Sequence, residues 1–168
     1  MREDHYKLVD PFCWFYLHFK IGKCVKQEDY WQQHLTESDV ATWRGIAFEE
    51  LCFLHIAQIK SALHIGGVAS QDSSYVVRGD GAQDGMQVDL LIERADDVVN
   101  ICEMKYYRLP FVVNKQYAQT LSHRLEVMES KCPAKTVHLT YIGSFELVRN
   151  ECSDIFTSCI LLDDLYGF

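Results

Sequence analysis

Positive charge is in short supply in this chain. Its 168 residues carry 16 lysines and arginines against 24 aspartates and glutamates, a formal charge of −8 at pH 7. That deficit argues against a protein that coats nucleic acid through a broad basic surface, although an enzyme built around metal-binding carboxylates can be acidic overall. No run of about 18 apolar residues occurs, so no membrane-spanning helix is expected. The opening MREDH lacks the basic-then-apolar layout of a secretory signal, and a cytoplasmic location is expected. The seven cysteines, at 13, 24, 52, 102, 132, 152 and 159, are odd in number, scattered, and never spaced as Cys-x-x-Cys. Reduced, mostly buried thiols are therefore expected rather than a disulfide framework or a zinc site. Internal repeats and low-complexity tracts are absent too, and no spacing makes His55, His64 or His123 a metal ligand. What remains is the composition of one soluble globular domain with a short appendage, 48% hydrophobic and 24% charged.

The appendage is expected over residues 1–38. HYKLVDPFCWFYLHFKIG is densely aromatic, and Pro11 sets a helix start near Phe12. Phe12, Phe15, Tyr16 and Phe19 recur at helical spacing and predict one packing face. KQEDYWQQHLTESD then reads as a polar connection ending in the capping residues Ser38 and Asp39. The main domain, 39–168, opens with a long amphipathic helix from Val40 to Leu63 closed by Gly66-Gly67. GVASQDSSYVVRGDGAQDG is loop-like around a β-branched core at Tyr75-Val76-Val77. Two strands follow within MQVDLLIERADDVVNICEMKYY, separated by Ala95-Asp96-Asp97. A second helix over about 113–130, a strand over 135–143, and a short strand with a helical turn complete the order. This predicts an α/β fold, a mixed sheet with helices on its faces.

NICEMKYY, residues 100–107, is an apolar strand interrupted by Glu103 and Lys105, and a buried charge is costly unless it is paired or has a task. Strands alternate faces with a period of two, so Ile101, Glu103, Lys105 and Tyr107 share one face, as do Gln87, Asp89, Leu91 and Glu93. If Ala95-Asp96-Asp97 is a three-residue loop, Asp89 stands opposite Glu103 and Gln87 opposite Lys105. An even loop would scatter them. Two opposed carboxylates repel unless something positive lies between. Hard oxygen donors suit Mg²⁺ or Mn²⁺ rather than zinc. An ion on Asp89, Glu103 and the Met104 carbonyl would keep open positions for water and a phosphate oxygen, with Lys105 beside it to orient the water. On a helical wheel Glu49 falls inside the apolar arc of the first long helix, among Cys52, Phe53, Ile56 and Leu63, and asks for a partner at the sheet beneath.

Glu49, then Asp89, then Glu103-Met104-Lys105 resembles the signature of the PD-(D/E)XK nuclease superfamily, the restriction-endonuclease-like fold, with Val88 where that signature has proline. WRGIAFEELCFLHIAQIKSAL, QVDLLIERADDVVNICEMKYY and YAQTLSHRLEVM are similar to the C-terminal nuclease-like domain of a group of prokaryotic AAA-type ATPases. YKLVDPFCWFYLHF looks like the segment that joins that domain to a preceding winged-helix region. No G-x-x-x-x-G-K-[ST] loop is present, so the resemblance covers the terminal domain without its ATPase module. It implies a Mg²⁺- or Mn²⁺-dependent nuclease acting on DNA in preference to RNA. Asp89, Glu103 and the Met104 carbonyl would hold the metal, Glu49 would assist through water, and Lys105 would position the nucleophile. It further points to Gln116 and Tyr117 near the scissile phosphate, and Gln87, two residues before Asp89 on the same strand face, is read as a substrate or water contact. Tyr106 and Tyr107 are read as packing residues. HRLEVMESK is read as a solvated face, in which Glu126 and Glu129 offset Arg124 and Lys131. The alternative is a non-catalytic domain of the same fold whose aromatic N-terminal segment contacts an ATPase partner or a second copy of the chain.

Overall fold

A computed structural model describes residues 8, 10–19, 38–77 and 86–167. The elements in chain order are α1 (Pro11–Phe19), α2 (Ser38–Leu54), α3 (Ile56–Ala62), β1 (Ser70–Val77), β2 (Met86–Arg94), β3 (Val98–Lys105), α4 (Lys115–Lys131), β4 (Thr136–Gly143) and β5 (Ser158–Leu161). Single 3₁₀ turns over Ser153–Ile155 and Leu162–Leu165 flank β5. The strands form one mixed sheet in chain order, β1-β2-β3-β4-β5. The first three are antiparallel, whereas β3, β4 and β5 run parallel. The parallel β3–β4 pair needs a crossover, and α4 provides it. The expected α/β architecture, a mixed sheet flanked by helices, is the one observed.

Each face carries its own core. Phe48, Cys52 and Ile59 of α2 and α3 pack on Leu90, Ile92, Cys102, Met104 and Ile142. Leu121 and Met128 of α4 pack on Met86, Val88, Leu91, Val99, Ile101 and Leu139 on the other side. Strand β3 is central and buried on both faces along most of its length, which explains why its sequence does not alternate cleanly.

Local chemistry sets the element ends. Helix α1 starts at Pro11, as expected, and the Asp10 carboxylate caps it by accepting from the backbone N–H of Phe12 (2.8 Å) and Cys13 (3.0 Å). The predicted packing face of α1 is narrower than its aromatic spacing implies. Phe15 and Phe19 meet Trp43 edge-on, but Phe12 is 73% and Tyr16 53% exposed. The single helix expected from Val40 to Leu63 is two helices, broken at His55, whose φ of −114° and ψ of 27° are not helical. Its C-terminus is closed at His64 rather than at Gly66-Gly67. His64 takes φ 58°, its N–H reaches the Ser61 carbonyl, and the Ile65 N–H reaches the Lys60 carbonyl. This paired closure needs one left-handed residue, and Ile65, buried behind it, anchors the turn. Strand β1 extends over eight residues where the sequence predicted only a short β core. Most of the polar connection and Asp39's side chain fall outside the described residues.

Cysteines 13, 52, 102, 132, 152 and 159 are all free, and Cys52 and Cys102 are buried. Burial, with the nearby Glu49 and Asp89 carboxylates, pushes the Cys52 thiol up to about 12, and burial raises Cys102 as well. Thiolate is the reactive form. At pH 8 an alkylating reagent is therefore expected to modify exposed Cys13 rapidly and to spare Cys52 and Cys102 until the chain is unfolded. Peptide mass mapping reads the result, and early labelling at Cys52 would contradict the burial argument.

Candidate functional site: a two-carboxylate, two-cation cluster at the end of the β2–β3 ladder

The hairpin register is the one the three-residue loop predicts. Leu90 pairs with Cys102, Leu91 with Ile101, Ile92 with Asn100 and Glu93 with Val99, so Ala95-Asp96-Asp97 forms the turn. Asp97 closes it at φ 61°, in the left-handed region such loops require. Arg94 donates to Asp96 across the turn.

The ladder stops at Leu90–Cys102, and a bulge in β2 is the reason. Ser73 of β1 pairs with Leu91 and Tyr75 with Val88, so Asp89 and Leu90 together oppose Ser74 alone. A bulged pair bends its strand and re-aims the side chains there. The alternation expected for β2 is therefore broken: Val88 joins Leu91 in the α4-side core instead of facing away from it. Gln87 consequently stands opposite Val76, exposed, and does not meet Lys105 as the unbulged register required. The Asp89 carboxylate turns toward β3 and accepts from the Met104 backbone N–H at 3.0 Å. A side chain thus fills a position that a backbone carbonyl would occupy in an unbroken ladder. In an extended strand the N–H and C=O of one residue leave on the same side, so the Met104 carbonyl faces this gap as well.

Beyond the ladder, Glu103 and Lys105 belong to β3 and are paired through β4. Glu103 is only 2% exposed, and among the described residues three donors hold its carboxylate. Lys105 Nζ lies 2.6 Å from Oε1, Arg124 Nη1 lies 2.5 Å from Oε2, and the Tyr117 hydroxyl also donates to Oε1. Lys105 Nζ further sits over the Tyr117 ring, 5.9 Å from its centre. The α4 residues arrive through a cap: Asn114 accepts the Tyr117 N–H at 2.8 Å, which starts the helix and sets Tyr117 on its sheet-facing side.

The correction to the expected site lies on α4. Arg124 is not on a solvated face. Tyr117, Leu121, Arg124 and Met128 recur at intervals of four, three and four residues, the spacing of one helix face, and Leu121 and Met128 are fully buried. That spacing was a usable signal for Arg124, obscured by neighbouring Glu126 and Glu129. Gln116 begins the helix and is exposed, away from the cluster. Glu49 lies half-buried on α2, and its charge is felt at Cys52 together with that of Asp89. Tyr106 packs against Phe48, whereas Tyr107 is 43% exposed and stacks on Phe111 at 4.8 Å.

The electrostatics follow from this packing. Burial, then the Glu103 charge, raises the Asp89 pKa above its usual 3.8, against the opposing pull of the Met104 N–H, Lys105 and Arg124. Burial and the Glu103 carboxylate likewise push the Tyr117 hydroxyl up, so it remains a donor. Because the folded chain holds the Asp89 proton more tightly than the unfolded one, ionising that group costs stability. Its contribution is full below the ordinary carboxylate range and is lost as pH rises through the folded value. The Asp89→Asn substitution keeps an acceptor for the Met104 N–H without the charge. In the presence of chelator, this variant is expected to melt above wild type at pH 8, with the gap closing as pH falls toward ~4. A lower melting temperature for the variant at pH 8 would show that no burial penalty exists there.

The donor types suit a hard divalent cation: Asp89 lies against the Met104 backbone, within reach of the Glu103 charge, and its Oδ1 accepts no hydrogen bond from the described residues. The contacts around Glu103 qualify that fit. Both of its oxygens are engaged by Lys105, Arg124 and Tyr117, and among the described residues no three His, Cys, Asp or Glu side chains come together as a ligand cluster. Among the described residues the Lys105 and Arg124 cations pair with Glu103 and are felt at Asp89, so two positive charges already offset the two carboxylates.

No protein-family model matches the sequence, and no curated protein matches it. Among solved structures the chain is similar to one described as a protein of unknown function, AF1548, with a TM-score of 0.42 and 16% identity. The match covers 60% of this chain and 49% of that one, so the chain spans about half the length of this neighbour.

Proposed function

We propose that the chain is a Mg²⁺- or Mn²⁺-dependent phosphodiesterase that cleaves DNA. The observation that carries this is the meeting of Asp89, Glu103 and Lys105 where the β2–β3 ladder ends. A bulge is retained there at the expense of ladder hydrogen bonds, and it brings a second carboxylate to a buried one. Asp89, Glu103 and the Met104 carbonyl would hold the ion, with Glu49 reaching it through water. When bound, the ion supplies Lewis acidity at the phosphoryl oxygen and a lowered pKa for water. Lys105 keeps an ammonium beside the metal-binding carboxylate, where it orients the attacking water and balances charge developing on the phosphate. Tyr117 fixes the rotamer of Glu103 through its hydroxyl.

A second proposal has an observation of its own. Phe12, Tyr16 and Leu17 leave an apolar face of α1 exposed, next to a groove lined by Pro11, Trp43, Phe48, Leu51, Tyr106 and Leu162. A non-catalytic domain that docks an ATPase or another copy of the chain would use such a surface. One assay separates the two. The purified chain is incubated with single- and double-stranded DNA and with RNA, in Mg²⁺, in Mn²⁺ and with chelator. Metal-dependent cleavage that chelator stops is the expected result. Intact substrate in every lane removes the enzymatic proposal.

A further inference from the structure

Resting on the proposed nuclease site, we infer that Arg124 occupies Glu103 as an internal counter-ion and yields it to a divalent cation only when a phosphodiester draws the guanidinium away. The reasons are geometric. Glu103 already has Lys105 and Arg124 as partners, so a dication added to the closed cluster would place three positive centres around one buried carboxylate. Among the described residues, Arg124 alone holds Oε2 of Glu103. Lys105 and Tyr117 share Oε1, so withdrawal of Arg124 frees one whole oxygen and leaves the other anchored. Arg124 is also built for the exchange. Its side chain is 21% exposed, against 2% for Glu103, so it borders solvent at the rim of the cluster. A guanidinium offers five donors in a planar fork that matches phosphate oxygens bidentately, while only one of its nitrogens is engaged with Glu103 here. No bond is made or broken in this step: one ion pair, Arg124 with Glu103, is traded for Arg124 with phosphate and metal with Glu103. Metal and phosphodiester should therefore bind with positive coupling, each tightening the other by the same factor. Gln116 and Glu49 take no part in this exchange.

The test uses the full chain and Mn²⁺ as the probe, titrated calorimetrically with and without a single-stranded oligonucleotide carrying hydrolysis-resistant phosphorothioate linkages. For wild type, Mn²⁺ is expected to bind about tenfold tighter with the oligonucleotide present, within the usual range of such coupling. Arg124→Gln is expected to bind Mn²⁺ alone about as tightly as wild type does with oligonucleotide, and to show no coupling. Adding Asp89→Asn to it should abolish that binding. Equal Mn²⁺ affinity for wild type and Arg124→Gln without oligonucleotide would overturn the inference, as would a coupling that survives the substitution. Should Arg124→Gln lose its native circular dichroism, the wild-type arm still decides, since absence of coupling there overturns the inference. Arg124→Lys, which keeps the charge but not the fork, should then show reduced coupling. Failure of the nuclease proposal is a separate result: wild type that leaves unmodified DNA intact at saturating Mn²⁺. Arg124-dependent coupling in a chain that does not cleave would keep the exchange and discard the hydrolysis.

Discussion

On the proposed function, Asp89→Ala is expected to lower Mg²⁺-dependent cleavage about a thousandfold or more, with the far-ultraviolet circular dichroism unchanged. Asp89 is the only carboxylate of the cluster with an oxygen that accepts no hydrogen bond from the described residues, so a cation entering the gap depends on it first. Loss of a metal ligand removes several kcal/mol of transition-state stabilisation, and about 4 kcal/mol corresponds to three orders of magnitude in rate. The fold survives because Asp89 sits where the ladder has already ended, and its loss leaves one backbone N–H, that of Met104, to find water. Lys105→Ala should produce a comparable loss of rate for a different reason. It removes the ammonium from Glu103 Oε1 but leaves the carboxylates, so metal binding persists while turnover falls. Measured rates for Asp89→Ala within tenfold of wild type would take Asp89 out of the reaction.

The largest effect on stability is expected at Arg124. Removing one member of a buried ion pair leaves the other desolvated and uncompensated, commonly at about 3–5 kcal/mol. Arg124 and Lys105 are partly exposed and Lys105 remains on Glu103, so for Arg124→Met the loss should fall below that range, at about 2 kcal/mol. Glu103→Gln alone costs less, because both cations can turn to solvent. Combining the two is expected to restore part of the loss, giving a coupling of about 1–2 kcal/mol in a double-mutant cycle. Urea denaturation of the four proteins at one pH, with a constant slope, measures it. Additive losses would show that the Arg124–Glu103 contact carries no net coupling. Arg124→Gln, whose shorter neutral side chain stays polar toward water while leaving Glu103 Oε2 open, should be the milder variant and suits the metal titrations.

Much of the architecture was legible in one dimension. The loop Ala95-Asp96-Asp97 has three residues between two apolar strands, and an odd count places the register of Leu90–Glu93 on Val99–Cys102 without further information. Pro11 is a local signal and α1 starts at it, and the second helix, expected over about 113–130, runs over Lys115–Lys131. Where local signals misled, a tertiary contact had overruled them. Gly66-Gly67 had the composition of a helix terminator, but the chain turns at His64, which places Ile65 in the core. Phe12 and Tyr16 had the spacing of a packing face, yet among the described residues it is Phe15 and Phe19 whose rings meet Trp43.

The candidate site divides along the same line. The sequence by itself determined that Asp89, Glu103 and Lys105 lie near one another, because hairpin register and strand alternation are set by residue count and steric period. It could not specify the bulge at Asp89–Leu90, since a bulge depends on how β1 and β2 fit together over two faces at once. That single extra residue turned Gln87 away, ended the ladder and aimed a carboxylate at the Met104 N–H. Nor could it assign Arg124, whose partner is 21 residues away on another element. Whether an arginine amid glutamates faces water or a buried carboxylate is decided by how α4 is pressed against the sheet, and only the folded chain decides that.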